Sequence, residues 1–337
     1  MSIKLQNQDV IKSTISIAMC TFNGADYLQE QLVSIVKQTR LPDELVVCDD
    51  GSTDSTLQIL GEFEKDAPFS VRIYCNKIRL GATKNFEKAI TLCKGEIIAL
   101  CDQDDIWLPQ KIKKIVETFK KNPDTGYIFS NALVIDEKLN SIDGTLWDYV
   151  SFTANRRRKF EQGNQIEVLV ERSVVTGATM ALCKTKTNWI LPIPEKWVHD
   201  KWIALLASAA EEKGIFIEEP LIKYRLHSKQ SIGINIDGDK KLNLIEQLKR
   251  VYNTKLESCE IVIDRLVYIL NRLNEVNKMT KRTNEFLIGK IKHLHERQWM
   301  HNYSRWKRIN RIFKELINRR YHRFSNGWES VLKDLFL

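Results

Sequence analysis

No stretch of this 337-residue chain approaches the roughly eighteen consecutive apolar residues that a bilayer-spanning helix requires, so a helical membrane span is not expected. The first residues, Met1 to Ser13, carry no apolar core of the kind a secretory signal needs, which points to a cytoplasmic location. Seven cysteines, at 20, 48, 75, 93, 101, 183 and 259, include no Cys-x-x-Cys pair. Four of them (20, 48, 75 and 101) fall in apolar runs that read as buried strands, the setting of free thiols in a reducing compartment. Glycine and proline become scarce from Lys240 onward, so that region reads as helical throughout. No recognised nucleic-acid-binding motif is present.

What is present is a repeated unit of apolar strand, polar turn and amphipathic helix. Ile15 to Cys20 leads into Thr21-Phe22-Asn23-Gly24, then a helix with Leu28, Leu32, Ile35 and Val36 on one face. Leu45 to Cys48 leads into Asp49-Asp50-Gly51-Ser52-Thr53-Asp54 and a helix carrying Leu57, Leu60 and Phe63. Val71 to Cys75 leads through Asn76 and Gly81 to a helix with Phe86, Ala89, Ile90 and Cys93. Ile97 to Cys101 ends in Asp102-Gln103-Asp104-Asp105. Strands alternating with helices of ten to fifteen residues predict a parallel α/β sheet, in which ligands bind beyond the carboxyl ends of the strands. Every polar motif named lies at such an end.

Carboxylates two apart on an extended segment point to the same side, so Asp102 and Asp104 are placed to face a divalent cation and a diphosphate together. Acidic residues after a strand also close turns and start helices, and Ser52 or Thr53 would serve as a helix N-cap after Asp49-Asp50.

Taken in order, Thr21 to Gly24, Asp49 to Asp54, Asn76 with Gly81 and Asn85, and Asp102-Gln-Asp-Asp-Ile-Trp107 resemble the successive motifs of family 2 glycosyltransferases, which have the GT-A fold. The resemblance covers about residues 14 to 230. It implies that Thr21, Phe22, Asn23, Asp49 or Asp50, Arg79, Asn85, Asp102 and Gln103 contact a nucleotide-sugar donor. Asp102 and Asp104 would ligate Mg²⁺ or Mn²⁺ bridging the diphosphate and stabilising the leaving group. Tyr224-Arg225-Leu226-His227 matches the stretch where the family places a histidine metal ligand, which makes His227 a third metal candidate. The catalytic base, an Asp that deprotonates the acceptor hydroxyl during an inverting attack, maps to Asp200 in His199-Asp200-Lys201-Trp202, where the family more often has Glu-Asp. Asp200 as a helix N-cap is the structural alternative. Gly177, at the turn before Met180 to Leu182, would let the backbone approach the donor or acceptor, or is an ordinary turn glycine.

The chain lacks the Gln-x-x-Arg-Trp motif of the family's processive synthases and looks closer to bacterial rhamnosyltransferase-like members that build surface polysaccharides. A dTDP- or UDP-sugar donor and a saccharide or lipid-linked saccharide acceptor follow from that resemblance. A nucleotidyltransferase would carry a glycine-rich basic loop where this chain has Thr21 to Gly24. A binding protein that uses its basic tail on nucleic acid is the alternative from another class, and no nucleic-acid partner is expected.

The expected organisation is a catalytic domain over 1–238 and a helical appendage over 239–337. From Lys240 onward there are 22 Lys and Arg against 10 Asp and Glu, so the +9 of the whole chain resides in the tail and the rest is net negative. Leu244, Leu248, Val251, Cys259, Val262, Leu266, Ile269 and Leu273 predict a packed helical face. Trp299, Tyr303, Trp306, Ile309, Phe313, Leu316 and Phe324 predict a second stripe, surrounded by Arg and Lys. That combination suits an anionic membrane surface at the inner leaflet, or pairing between chains.

Overall fold

The computed structural model describes residues 13–228, 230, 259–300, 304–325 and 327–336. By contacts these divide into two compact units: 13–153, 174–207 and 212–230 in the first, and 154–173, 208–211 and 259–336 in the second. The boundary expected at 238/239 lies outside the described residues, as do Leu244, Leu248, Val251 and Tyr303.

The first unit opens with the alternation read from the sequence: β1 (Ile15–Thr21), α1 (Ala25–Val36), β2 (Glu44–Asp49), α2 (Thr56–Asp66), β3 (Ser70–Cys75), α3 (Ala82–Leu92) and β4 (Ile97–Cys101). Every residue of β1, β2 and β4 is buried, which is why these runs are apolar throughout rather than alternating. The β3 strand is the sheet edge and is half-exposed, so Cys75 is exposed rather than buried. Cys20, Cys48, Cys93 and Cys101 are buried free thiols. The turn after β2 does not cap α2 through Ser52 or Thr53. The helix starts at Thr56, whose N–H donates to Asp54 Oδ1 at 3.0 Å.

The sheet continues through β5 (Ile106–Trp107), α4 (Lys111–Lys121), β6 (Thr125–Ile135), β7 (Ser141–Thr145) and α5 (Leu146–Tyr149). After α6 (Ala154–Glu161) and α7 (Gln165–Glu171) of the second unit come β8 (Met180–Cys183), α8 (Lys184–Thr187), α9 (His199–Ala209) and β9 (Lys213–Arg225). Strand order is β3-β2-β1-β4-β8-β6-β9-β5, with β7 beside β6. The β1–β4 ladder is parallel; β8 runs antiparallel to β4 and β6, β9 is parallel to β6, and β5 is antiparallel to β9. Phe129, Trp147, Phe152 and Phe216 form an aromatic cluster on this half, with ring centroids 5.0 to 6.2 Å apart.

The chain leaves β1 toward β2 and β3, then returns to the other side of β1 as β4. The carboxyl ends of β1 and β4 therefore flank the point where strand order reverses, the place where an open α/β sheet offers a crevice.

The second unit holds α10 (Cys259–Glu275), α11 (Lys281–Met300), α12 (Arg305–Ile317), α13 (Arg320–Phe324) and α14 (Trp328–Phe336). Ile263, Leu266, Ile269 and Leu273 form the buried face of α10, with Val262 only half-buried. Met300, Ile312, Tyr321 and Val331 make a small core. Buried polar side chains sit within it as closed pairs: Arg297 donates to both oxygens of Asp334 (2.7 and 2.9 Å), and Tyr321 Oη donates to the same carboxylate at 2.7 Å.

Candidate functional site

The ends of β1 and β4 are tied by one side chain. Gln103 Oε1 accepts the Phe22 N–H at 2.8 Å, and Gln103 Nε2 donates to the Phe22 carbonyl at 3.1 Å. The approach is close enough that a Cβ on Gly24 would lie 2.1 Å from Gln103 Oε1, so a larger residue there would displace the Gln103 side chain. The Arg79 guanidinium stacks over Phe22, 3.8 Å from the ring centroid. Asn23, at φ 47°, gives its N–H to Ser52 Oγ and accepts from the Thr53 N–H, both at 2.8 Å. Thr21, Phe22, Asn23, Gln103 and Arg79 are thus brought together.

Asp49 and Asp50 belong to the same end of the sheet and organise its loops. Asp49 accepts from Thr21 Oγ1 (2.7 Å), Gly51 N (3.1 Å), Ser52 N (2.8 Å) and Ser52 Oγ (2.5 Å). Asp50 accepts from Asn76 Nδ2 (2.8 Å), Leu80 N (2.7 Å) and Gly81 N (2.8 Å), fixing the loop that carries Arg79. Asn85 is buried, donating to the Cys48 carbonyl and accepting from Asn76. The bonds of Asp49, Asp50 and Asn85 go to building the crevice walls.

The acidic segment after β4 bends at Gln103 and Asp104 instead of running extended, so the two-residue spacing alone does not orient its carboxylates. Burial, then the negative charges of Asp104 and Asp200, push the Asp102 carboxyl up to about 7. Asp105 is fully buried; burial and the negative charges of Asp104 and Asp102 hold its carboxyl well above the usual range. Its Oδ1 accepts the Arg225 N–H at 3.0 Å, while Oδ2 has no partner among the described residues. Asp104 Oδ2 lies 2.8 Å from His227 Nε2, and the His227 ring packs on Tyr27 at 4.5 Å.

Two cations in this region escaped the sequence reading. Arg225, 1 % exposed, donates Nε to the Asp104 carbonyl at 2.8 Å and pairs with Glu30. Lys111, fully buried, donates to the Ala178 carbonyl at 2.7 Å with its ammonium 3.8 Å from the Trp107 ring centroid. The available signal for Lys111 was helical spacing: it shares the i, i+4, i+8 face with buried Ile115 and Phe119.

Asp200 lies inside the first turn of α9, not at its N-cap. Its Oδ2 accepts the Gly177 N–H at 2.8 Å, and its charge reaches Asp102. Gly177 opens a 3-10 turn (Gly177–Thr179), and a Cβ there would lie 2.6 Å from His199 Nε2; the close approach that demands glycine is to His199. His199 stacks on Phe86 at 4.0 Å, and burial lowers its pKa, so its ring is neutral near pH 7.

Among the described residues, no three His, Cys, Asp or Glu side chains are grouped closely enough to hold a metal alone. Asp104 and His227 are in contact, and the Asp104 charge acts on Asp102. Half-buried Asp102 and Asp104 beside fully buried Asp105, mutually repelling and with Asp105 Oδ2 lacking a partner among the described residues, fit a hard cation that takes one or two protein carboxylates and completes its shell with phosphate oxygens. No helix among the described residues is long and apolar enough to cross a membrane.

Residues 16–179 match Glycosyl transferase family 2. Three uncharacterized mycobacterial proteins are 34% identical over 125 residues, so the chain matches about a third of those relatives' length (36%). The UDP-Glc:alpha-D-GlcNAc-diphosphoundecaprenol beta-1,3-glucosyltransferase WfgD of Escherichia coli is 26% identical over 76% of this chain and 91% of its own. The dTDP-rhamnosyl transferase RfbG of Shigella flexneri is 26% identical over 65% of this chain and 74% of its own. Among solved structures, S. aureus TarS 1-349 in complex with UDP-GlcNAc superposes with a TM-score of 0.52 at 16% identity, covering 95% of this chain and 90% of that one. That likeness carries the fold, which is GT-A.

Proposed function

We propose that this chain, whose residues 16–179 match Glycosyl transferase family 2, transfers a sugar from a nucleotide-sugar donor to a hydroxyl group of a saccharide or lipid-linked saccharide. The observation that carries the reading is the convergence of the Phe22–Gln103 clasp, the Asp49 and Asp50 turns, the Asp102–Asp105 cluster and Asp200 at one end of one sheet. WfgD and RfbG, with their named UDP-glucose and dTDP-rhamnosyl chemistries, support a UDP or dTDP donor.

In this reading Phe22, Asn23 and Arg79 border the nucleoside, with the Arg79–Phe22 stack offering a flat face to a base. Asp102, Asp104 and His227 would hold Mg²⁺ or Mn²⁺, and the ion would supply neutralisation of the charge on the departing nucleoside diphosphate. Asp200, oriented by the Gly177 N–H, takes the proton of the acceptor hydroxyl as that oxygen attacks the anomeric carbon opposite the leaving group. Inversion follows. The test is nucleotide release from a panel of UDP-glucose, UDP-galactose, GDP-mannose and dTDP-rhamnose, with and without Mn²⁺. Release from one donor, lowered about a hundredfold or more by Asp200→Asn with binding retained, supports the reading; no release from any of them sinks it.

The second unit suits the inner face of an anionic membrane. On α12, Ile309, Phe313 and Ile317 recur every four residues and are 44%, 63% and 67% exposed, and Lys307, Arg311 and Lys314 lie on the same helix. Trp299 and Trp328 are also exposed, whereas Leu316 and Phe324, read as part of the same stripe, face inward. An apolar ridge beside cations matches the chemistry of headgroups over acyl chains. Co-sedimentation with phosphatidylglycerol vesicles, lost in Phe313→Glu and absent with phosphatidylcholine alone, is the expected result; concentration-dependent dimerisation without vesicle binding would assign the ridge to a second copy of the chain.

A further inference from the structure

Lys111 is placed at high cost. It is the first residue of α4, where the helix dipole disfavours a cation, and it is fully buried with no carboxylate within ion-pair distance among the described residues. Burial lowers its pKa to about 8, against the pull of Cys101, Asp105 and Asp102. A methionine would fill the space beside Trp107 without that penalty.

Its side-chain hydrogen bond among the described residues gives the ammonium a task. Lys111 Nζ holds the Ala178 carbonyl, and two peptide units earlier in the same turn the Gly177 N–H holds Asp200 Oδ2 at 2.8 Å. Between the two grips the turn is closed by Thr179, whose N–H and Oγ1 both donate to the Thr176 carbonyl at 3.0 and 2.8 Å. The Ala178 carbonyl shares a peptide plane with the Thr179 N–H, and the Thr176 carbonyl shares one with the Gly177 N–H, so the grip of Lys111 reaches the amide on Asp200 through the Thr179–Thr176 bond. The opposite side of the turn is blocked by His199, which leaves no room for a Cβ at Gly177. We propose that Lys111 is a positioning residue that sets the direction of the Asp200 carboxylate through the Gly177–Thr179 turn. The proposal rests on the reading of Asp200 as the base.

The experiment is a double-mutant cycle in the full chain: wild type, Lys111→Met, Asp200→Asn and the double variant. It compares nucleotide release from UDP-glucose and dTDP-rhamnose, UDP affinity by calorimetry, and thermal melting. The expected result is a kcat about ten- to a hundredfold lower in Lys111→Met, as for a misaimed catalytic group, with UDP affinity within about threefold. In the Asp200→Asn background the same change lowers the residual rate by less than about threefold, because the group it aims is gone. Multiplicative losses in the double variant, or an unchanged kcat in Lys111→Met, overturn the proposal. If Lys111→Met does not fold, Lys111→Gln, which keeps a donor and removes the charge, enters the same cycle. If Asp200→Asn alone leaves kcat unchanged, the base assignment fails and the proposal falls with it, an outcome distinct from a failed cycle.

Discussion

Gln103 and Phe22, 81 residues apart, exchange two hydrogen bonds across the mouth of the sheet, one to the Phe22 amide and one to its carbonyl. The pair fixes the distance between the β1 turn and the acidic segment, so whatever binds between them meets a preformed edge. Replacing Gln103 with Leu leaves the part-buried Phe22 amide and carbonyl without these partners. A stability loss of about 1–3 kcal/mol is expected in urea denaturation. UDP affinity should fall in the same variant; full stability with full affinity would show that the clasp is dispensable.

Gly177→Ala drives a methyl carbon to 2.6 Å from His199 Nε2, against a ring already stacked on Phe86. Overpacking of this kind costs about 1–3 kcal/mol, and the shift is transmitted to Asp200 through the amide it accepts. A lower melting temperature together with reduced nucleotide release is expected. The double variant Gly177→Ala/His199→Ala should recover most of the melting temperature, because the clash is gone.

Acid should weaken the second unit through His293. Its Nδ1 donates to Glu315 Oε2 at 2.6 Å and its Nε2 accepts from Ser325 Oγ at 2.9 Å, so the neutral ring is satisfied on both sides. Burial lowers its pKa below the ordinary 6.5, outweighing the pull of Glu315. A folded-state value below the unfolded one means that the unfolded chain binds the proton more readily. Stability is therefore complete above about pH 6.5 and falls as the pH drops below it. Glu315 is lowered too, the bond from His293 and the Arg320 charge outweighing its burial, so its contribution is lost below about pH 4.5. Melting temperature should decline between pH 7 and pH 5, and His293→Gln should flatten that slope; an unchanged slope would exclude His293 as its origin.

The sequence made the first four strands and their motif ends legible because β1, β2 and β4 are buried on both faces and so read as unbroken apolar runs. Strands β5, β7 and β8, of two, five and four residues, are too short to show a period, and their pairing is set by partners far along the chain. The same distance hid the clasp between Arg225 and Glu30 and the bond from Lys111 to Ala178. Asp49 and Asp50 were visible as a polar turn, but their work in holding the Ser52 and Gly81 loops depends on three-dimensional proximity. In the tail, helical spacing found the buried face of α10 but merged inward Phe324 with outward Phe313, because the helix breaks at Asn318–Arg319 between them.

The central claim is that the Asp102–Asp105 cluster binds a nucleotide-sugar diphosphate through a divalent ion. Calorimetric titration of UDP and of dTDP, with Mn²⁺ and with EDTA, on wild type and Asp104→Ala tests it most directly. The account predicts binding that requires Mn²⁺ and is lost in Asp104→Ala while the melting temperature stays within a few degrees of wild type. Nucleotide binding of equal strength with EDTA, or retained in Asp104→Ala, would contradict it.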